Sequence, residues 1–197
     1  MLVVNINFVR FLKVDAFVEN VLGKDTTGHD AHHCRRVAKT AVEIASSITD
    51  RPVDLSKVWL AAMLHDVWDS KVCDQPERME MAVSAMLGEV ISDGFAIDDV
   101  LAIIHNVSWS KGGPANTIEA ACVQDADRLD AIGAIGIARV FAYGESQGRN
   151  LQESVQHFHE KLLKIKNAMN TSQGQLMAHA RHQVMLRYLE DLEVEGL

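Results

Sequence analysis

Residues 124–140 read QDADRLDAIGAIGIARV. Asp125, Asp127 and Asp130 crowd into this stretch, and no further acid follows until Glu145. Acids at a helix N-terminus are stabilised by the macrodipole, but the effect fades beyond the first turn. Here the start signal lies further upstream. Asn116 followed by Glu119 reads as a capping-box variant, just after the loop signal Gly112-Gly113-Pro114. The pattern predicts one helix from Thr117 to about Tyr143, with Gly144 at its C-terminal end. Asp127 then shares a face with Ala131, Ala134, Ile135 and Ala138. A carboxylate on a buried face needs a partner, a shifted pKa or a metal. Asp125 falls on a different face and is expected at the surface.

Outward from this segment the chain keeps the same helical character. Hydrophobic residues make up 48% of its 197 residues, enough for a substantial core, and prolines are confined to Pro52, Pro76 and Pro114. Alternating β-branched residues are nearly absent after the first ten positions. The reading is an all-α fold forming a single domain over residues 1–197. Its motif region spans 28–144, and its closing helices lie within 151–193. Further helices are expected over Val9–Leu22 (Leu12, Phe17, Val18, Val21 and Leu22 inward), Asp30–Thr49, Asp54–Val67, Glu77–Glu89, Ile97–Val107, Leu151–Met169 and Gln173–Glu193. Asp54 is the expected cap of the third.

A net charge of −8 with no Lys/Arg block disfavours extended nucleic acid as a partner. Cys34, Cys73 and Cys122 are odd in number and lack CxxC spacing, which suits reduced thiols in a cytoplasmic protein. No signal-peptide pattern or long apolar run is present, so neither export nor a membrane span is expected.

Histidines supply the next clue. His33, Val37, Ala41, Ile44 and Ile48 fall on one helical face, which turns His33 inward. His65-Asp66 closes the apolar run Trp59–Leu64. With Asp127, the sequence offers two imidazoles and two carboxylates from three predicted helices. That donor set suits one divalent ion of intermediate hardness: Mn²⁺, Fe²⁺, Co²⁺, Ni²⁺ or Zn²⁺. Mg²⁺ more typically takes oxygen ligands.

The ordered pattern H…HD…D resembles the HD superfamily of metal-dependent phosphohydrolases. GHDAHHCRRV, AAMLHDV and QDADRLDAIGAIGIAR, with the later FAYG, are similar to a narrower group, the small stand-alone bacterial hydrolases of YedJ type. The resemblance covers roughly Gly28 to Arg187. It implies a helical metal-dependent hydrolase of phosphate esters or anhydrides, often in nucleotides. It also implies His33, His65, Asp66 and Asp127 as the metal ligands. Family members with two metals carry extra histidines between the doublet and the distal Asp. Here only His105 lies there, so one metal is expected, with His105 as a ligand or substrate contact.

Phosphate hydrolysis needs an electrophile, a positioned water and cations for the developing charge. Asp69, one turn after Asp66, and Asp74 are the candidates to handle the attacking water. Lys71, Lys111 in the SWSKGGP loop, and Arg36 are candidate phosphate contacts. Arg36 could equally pair with an inner acid, and Asp130 could accept from a histidine behind the metal. The roles of His29 and His105 stay open. His157, His159, His179 and His182 read as surface or packing residues. The expected function is hydrolysis of a nucleotide or other small phosphorylated metabolite. Nucleoside triphosphate pyrophosphohydrolase, monophosphatase and phosphodiesterase activities all fit. The alternative is a non-catalytic metal- and nucleotide-binding sensor. A homodimer is compatible with everything read here.

Overall fold

The computed structural model describes residues 8–25, 28–69, 73–91, 97–107 and 113–197. Among the described residues the regular structure is entirely helical: α1 Phe8–Leu22, α2 Ala31–Ser46, α3 Leu55–Leu64, α4 Pro76–Val90, α5 Ile97–His105, α6 Ile118–Asp130, α7 Gly133–Ser146, α8 Leu151–Glu160, a 3₁₀ segment Leu162–Ala168, and α9 Ser172–Val194. Local chemistry starts most of these helices. The Asp30 carboxylate accepts from the His33 backbone N–H, and Asp54 accepts from those of Ser56 and Lys57. Pro76 opens α4, Thr117 caps α6, Asn150 and Glu153 form a capping box on α8, and Thr171 caps α9.

Helix α3 is the central element. Val58 through Leu64 are all buried, and each large apolar side chain so placed is worth about 1.5–3 kcal/mol relative to an exposed one. Helix α2 lays its inward stripe, His33, Val37, Ala41 and Ile44, against this core and packs most extensively on α3 and α6. The helices that carry or precede the three motif segments are therefore mutual neighbours. The buried apolar residues form one continuous cluster.

Several local expectations need correction. The long helix predicted from Thr117 is broken at Ala131–Ile132, where Ile132 is extended (φ −128°, ψ 168°) and Gly133 takes φ +76°. Only glycine enters that left-handed region freely. A side chain at Gly133 would also press on the Arg181 stem at about 3.0 Å. Gly136 packs against the Ala131 carbonyl so closely that a Cβ there would overlap it. Gly144 does not end the helix but lies buried within α7. Thr117, not Asn116, caps α6, and Glu119 accepts instead from the Asp54 backbone N–H. Leu12 is exposed, while Val14, Val18 and Leu22 face the core. The segment after Glu160 tightens to 3₁₀, whose three-residue turn puts Leu162 and Ile165 inward together.

Asp125 is not a surface residue. It is fully buried and accepts from the backbone N–H groups of Asn170 and Thr171 and from both their side chains. Four donors compensate its lost hydration. It thereby fixes the start of α9 to α6. Its neighbour Gln124 is equally buried. Its amide donates to the carbonyls of Asn106 and Gly113 and accepts from Asn170.

Candidate metal centre

Helix α2 begins at Ala31, so His33 stands in its first turn with its backbone held by Asp30. Helix α3 stops at Leu64, with His65 as its C-cap. The expected helix through Val67 is thus too long by one turn. The difference matters for the site. Adjacent residues inside a helix diverge by about 100°, whereas a doublet leaving the helix end can turn both side chains the same way. Asp127 projects from within α6.

These side chains converge. His33 Nε2 lies 3.2 Å from His65 Nε2, 3.3 Å from Asp66 Oδ2 and 3.4 Å from Asp127 Oδ1. His65 Nε2 lies 3.4 Å from Asp66 Oδ2 and 3.6 Å from Asp127 Oδ1. His33, His65 and Asp66 are buried, and Asp127 keeps a partly open edge. Donors about 2.0–2.2 Å from one ion sit roughly 3–3.5 Å apart, so the spacing fits a shared divalent cation.

The imidazoles are held from behind. His33 Nδ1 lies 2.7 Å from Asp130 Oδ2, and His65 Nδ1 lies 2.8 Å from the Ala62 carbonyl. Acceptors behind both rings assign the proton to Nδ1 and leave each Nε2 lone pair facing the cluster when the ring is neutral. Asp130 is 4% exposed and also receives Arg36 through two hydrogen bonds and Arg139 through one. Arg139 further donates to the Gly28 carbonyl. Sequence reasoning missed Arg139 altogether, because its helix restarts only after the break at Ile132.

His29 is a second addition. Its Nδ1 lies 2.7 Å from Asp66 Oδ2, which gives the GHD signature a physical role. Asp30 starts the helix while His29 reaches across to the doublet. His29, His33 and Asp66 are themselves grouped closely enough to share an ion.

The other candidates are placed less centrally. Arg36 points its guanidinium at Asp130, taking the inner-acid role rather than lying free to meet a phosphate. His105 is half-exposed, hydrogen-bonded to Glu80 at 2.9 Å and set beside the Trp68 ring. Asp69 is half-buried, with its backbone N–H on the Asp66 carbonyl, and Asp74 is exposed. Lys71 and Lys111 lie outside the described residues.

Burial pulls the His33 pKa down, but Asp127, Asp130 and Asp66 outweigh it and hold it well above the ordinary imidazole value. His65 is raised in the same way, against burial, by Asp66 and Asp127. Burial pushes the Asp66 and Asp127 carboxyls up, yet the facing histidines hold both below the usual carboxylate range. The metal-free cluster thus keeps protons on His33 and His65. Their contribution to the metal-free fold is complete below about pH 6.5 and is lost as pH rises through the raised values. Metal binding runs the opposite way, because it must displace those protons. Manganese affinity is expected to rise with pH through and above neutrality. Calorimetry in buffers of different ionisation enthalpy should detect proton release on binding at pH 7. Absence of release would contradict a centre built on these two imidazoles.

Buried imidazoles and carboxylates gathered from three segments of a helical core define a class: helical His–Asp proteins with a site able to hold a metal ion. The chain belongs to the HD domain family, whose model matches residues 30–132. It is 36% identical over 192 residues to YpgQ of Bacillus subtilis (strain 168), covering 92% of this chain and 91% of that protein. The crystal structure of Bacillus subtilis YpgQ in complex with ADP superposes with a TM-score of 0.80 at 35% identity, over 93% of this chain and 96% of that one. A crystal structure of an HD-superfamily hydrolase from Bacillus thuringiensis gives a TM-score of 0.78 at 38% identity, over 95% and 97% of the two chains. The fold is that of the HD-superfamily hydrolases. Among the described residues no helix is long and apolar enough to cross a membrane.

Proposed function

We propose that the chain is a metal-dependent phosphohydrolase that cleaves a phosphoric ester or anhydride bond in a nucleotide, with nucleoside triphosphates as the leading candidates. The observation that carries this reading is the convergence of His33, His65, Asp66 and Asp127 within 3.2–3.6 Å contacts. These residues would hold one divalent ion, with Mn²⁺ well matched to mixed nitrogen and oxygen donors. Such an ion, when bound, supplies Lewis acidity and acidifies water. The chain supplies the rest. Asp130 and the Ala62 carbonyl fix the two rings, so little reorganisation is needed at the site. The open edge at Asp127 gives substrate access. Asp69 is proposed to orient the attacking water and take its proton, with Asp74 as the second candidate. Lys71 and Lys111 are proposed phosphate contacts.

The nucleotide preference draws on the ADP complex of YpgQ, a relative of nearly the same length. The continuous core supports one domain across the chain. Cys34, Cys73 and Cys122 are unpaired, which favours a reducing, cytoplasmic setting. The reading is tested by incubating the Mn²⁺-loaded protein with a panel of nucleoside mono-, di- and triphosphates and separating phosphate from pyrophosphate release. Metal-dependent release from at least one member is expected. Tight nucleotide binding with no release from any would replace the hydrolase by a sensor.

A further inference from the structure

Two side chains from different segments brace the metal cluster. Asp130, at the end of α6, meets His33 Nδ1 at 2.7 Å, and His29, in the loop before α2, meets Asp66 Oδ2 at 2.7 Å. One guanidinium joins them, that of Arg139 on α7. Its Nη1 donates to Asp130 Oδ2 at 2.8 Å and, at a longer 3.4 Å, to the Asp130 main-chain carbonyl. Its Nη2 donates at 2.7 Å to the Gly28 carbonyl, which belongs to the peptide joining Gly28 to His29. The N–H of that same peptide donates to Asp25 Oδ2 at 2.9 Å. A planar unit held at both ends fixes the direction in which His29 leaves it. Gly28 takes φ +94°, and a Cβ there would stand 3.1 Å from Arg139 Nε, so glycine is what lets the guanidinium lie this close. Arg36 reaches the same Asp130 carboxylate from α2, but both its hydrogen bonds end there. Arg139 thus differs from Arg36 in its second contact and not in its charge. A rigid fork serves two acceptors in fixed directions, whereas a lysine ammonium on a flexible stem does not.

We propose that Arg139 is a positioning residue that acts on the metal site through His29: by bridging Asp130 and the Gly28–His29 peptide, it fixes the imidazole that orients Asp66. This role rests on reading the His33–Asp127 cluster as a Mn²⁺ centre and does not depend on which bond is cleaved. It makes one side chain of α7 govern the orientation of a nitrogen ligand on α2 and a carboxylate ligand after α3.

Calorimetric Mn²⁺ titration of the full chain, with NMR of the imidazole nitrogens in the metal-free protein, tests it. Arg139→Lys keeps a positive charge beside Asp130 but not the fork, and is expected to weaken Mn²⁺ binding roughly 10–100-fold, as for partners behind a ligand. His29→Ala should lose a similar factor. The double variant should then be no more than about threefold weaker than His29→Ala alone, because residues that act as a unit are not additive. Arg36→Lys is the comparison. Its loss should multiply with that of His29→Ala, and it should leave the His29 ring signals in place, whereas Arg139→Lys should shift them. Losses from Arg139→Lys and His29→Ala that multiply in full would overturn the proposal and leave Arg139 as a second clasp on Asp130. Unchanged His29 signals in Arg139→Lys would overturn it equally. A wild-type chain that cleaved no nucleotide would remove the hydrolase reading and leave this coupling intact. One that bound no Mn²⁺ would remove the metal reading, and the His29 signals alone would then decide whether Arg139 places that ring.

Discussion

Asp66→Ala is expected to eliminate metal-dependent turnover while leaving the helical fold in place. Asp66 Oδ2 stands 3.3 Å from His33 Nε2, 3.4 Å from His65 Nε2 and 2.7 Å from His29 Nδ1. Its removal takes one of two carboxylates from the donor set and leaves His29 without its acceptor. Changes in partners behind a ligand already cost roughly 10–100-fold in metal affinity or activity, so losing a direct donor should cost more. The fold has other support. Asp66 follows the end of α3, and its main-chain carbonyl, which the substitution keeps, accepts from the Asp69 backbone N–H. The core is an extensive apolar cluster that does not depend on an ion. Some stability is still lost without metal. Asp66 has a depressed pKa, so its contribution is present above the unfolded value of about 3.9 and disappears as pH falls toward acid. Near neutrality the metal-free variant should therefore melt lower than the metal-free parent. Turnover at saturating Mn²⁺ and far-UV circular dichroism form the paired measurement. Full activity in a metal-saturated sample would remove the whole mechanism.

Much of this centre could be read from residue spacing, and the exceptions share a cause. The inward turn of His33 followed from its apolar neighbours at helical intervals, because a stripe buried on α3 and α6 has a single solution. Asp54 was legible as a cap because capping is a local contest between one side chain and nearby backbone donors. Asp125 was not legible. Its burial depends on Asn170 and Thr171, some forty-five residues away, and no local pattern reports four donors arriving from another helix. The break at Ile132 was hidden for a similar reason. Ala131 and Ile132 both tolerate a helix, and the missing side chains at Gly133 and Gly136 leave room for the Arg181 stem, distant in sequence, and for the Ala131 carbonyl. That break is functional in its consequence, since it redirects α7 so that Arg139 comes back toward Asp130. His65 and Asp66 stood at the edge of an apolar run, but the end of α3 itself carried no Gly or Pro to mark it.

Asp130 gives the second large effect, because it serves the metal centre and the fold together. Its carboxylate is 5% exposed and meets His33 Nδ1 at 2.7 Å, Arg36 at 2.8 and 2.9 Å, and Arg139 at 2.8 Å. Burial pushes its pKa up, but His33 and Arg36 outweigh that and hold it below the ordinary range. In Asp130→Ala two guanidinium groups lose their shared anion, and His33 loses the acceptor that sets its ring. Breaking a fully buried ion pair costs about 3–5 kcal/mol. Arg36 is 37% exposed and Arg139 27%, so water softens the loss toward the lower end. A cost of about 3 kcal/mol corresponds to a fall in Tm of roughly 6–12 °C for a chain of this size. Independently, His33 no longer presents Nε2 in a fixed orientation, and Mn²⁺ affinity should fall roughly 10–100-fold. Asp130→Asn separates the two effects. Its amide oxygen can still accept from His33 Nδ1, but the negative charge between the arginines is gone. It should therefore lose most of the stability while keeping more of the metal affinity than Asp130→Ala does. Calorimetric Mn²⁺ titration and thermal melting of the metal-free proteins measure the two losses separately. If Asp130→Ala bound Mn²⁺ as tightly as the parent, Asp130 would be a clasp between α2, α6 and α7 with no influence on the metal site.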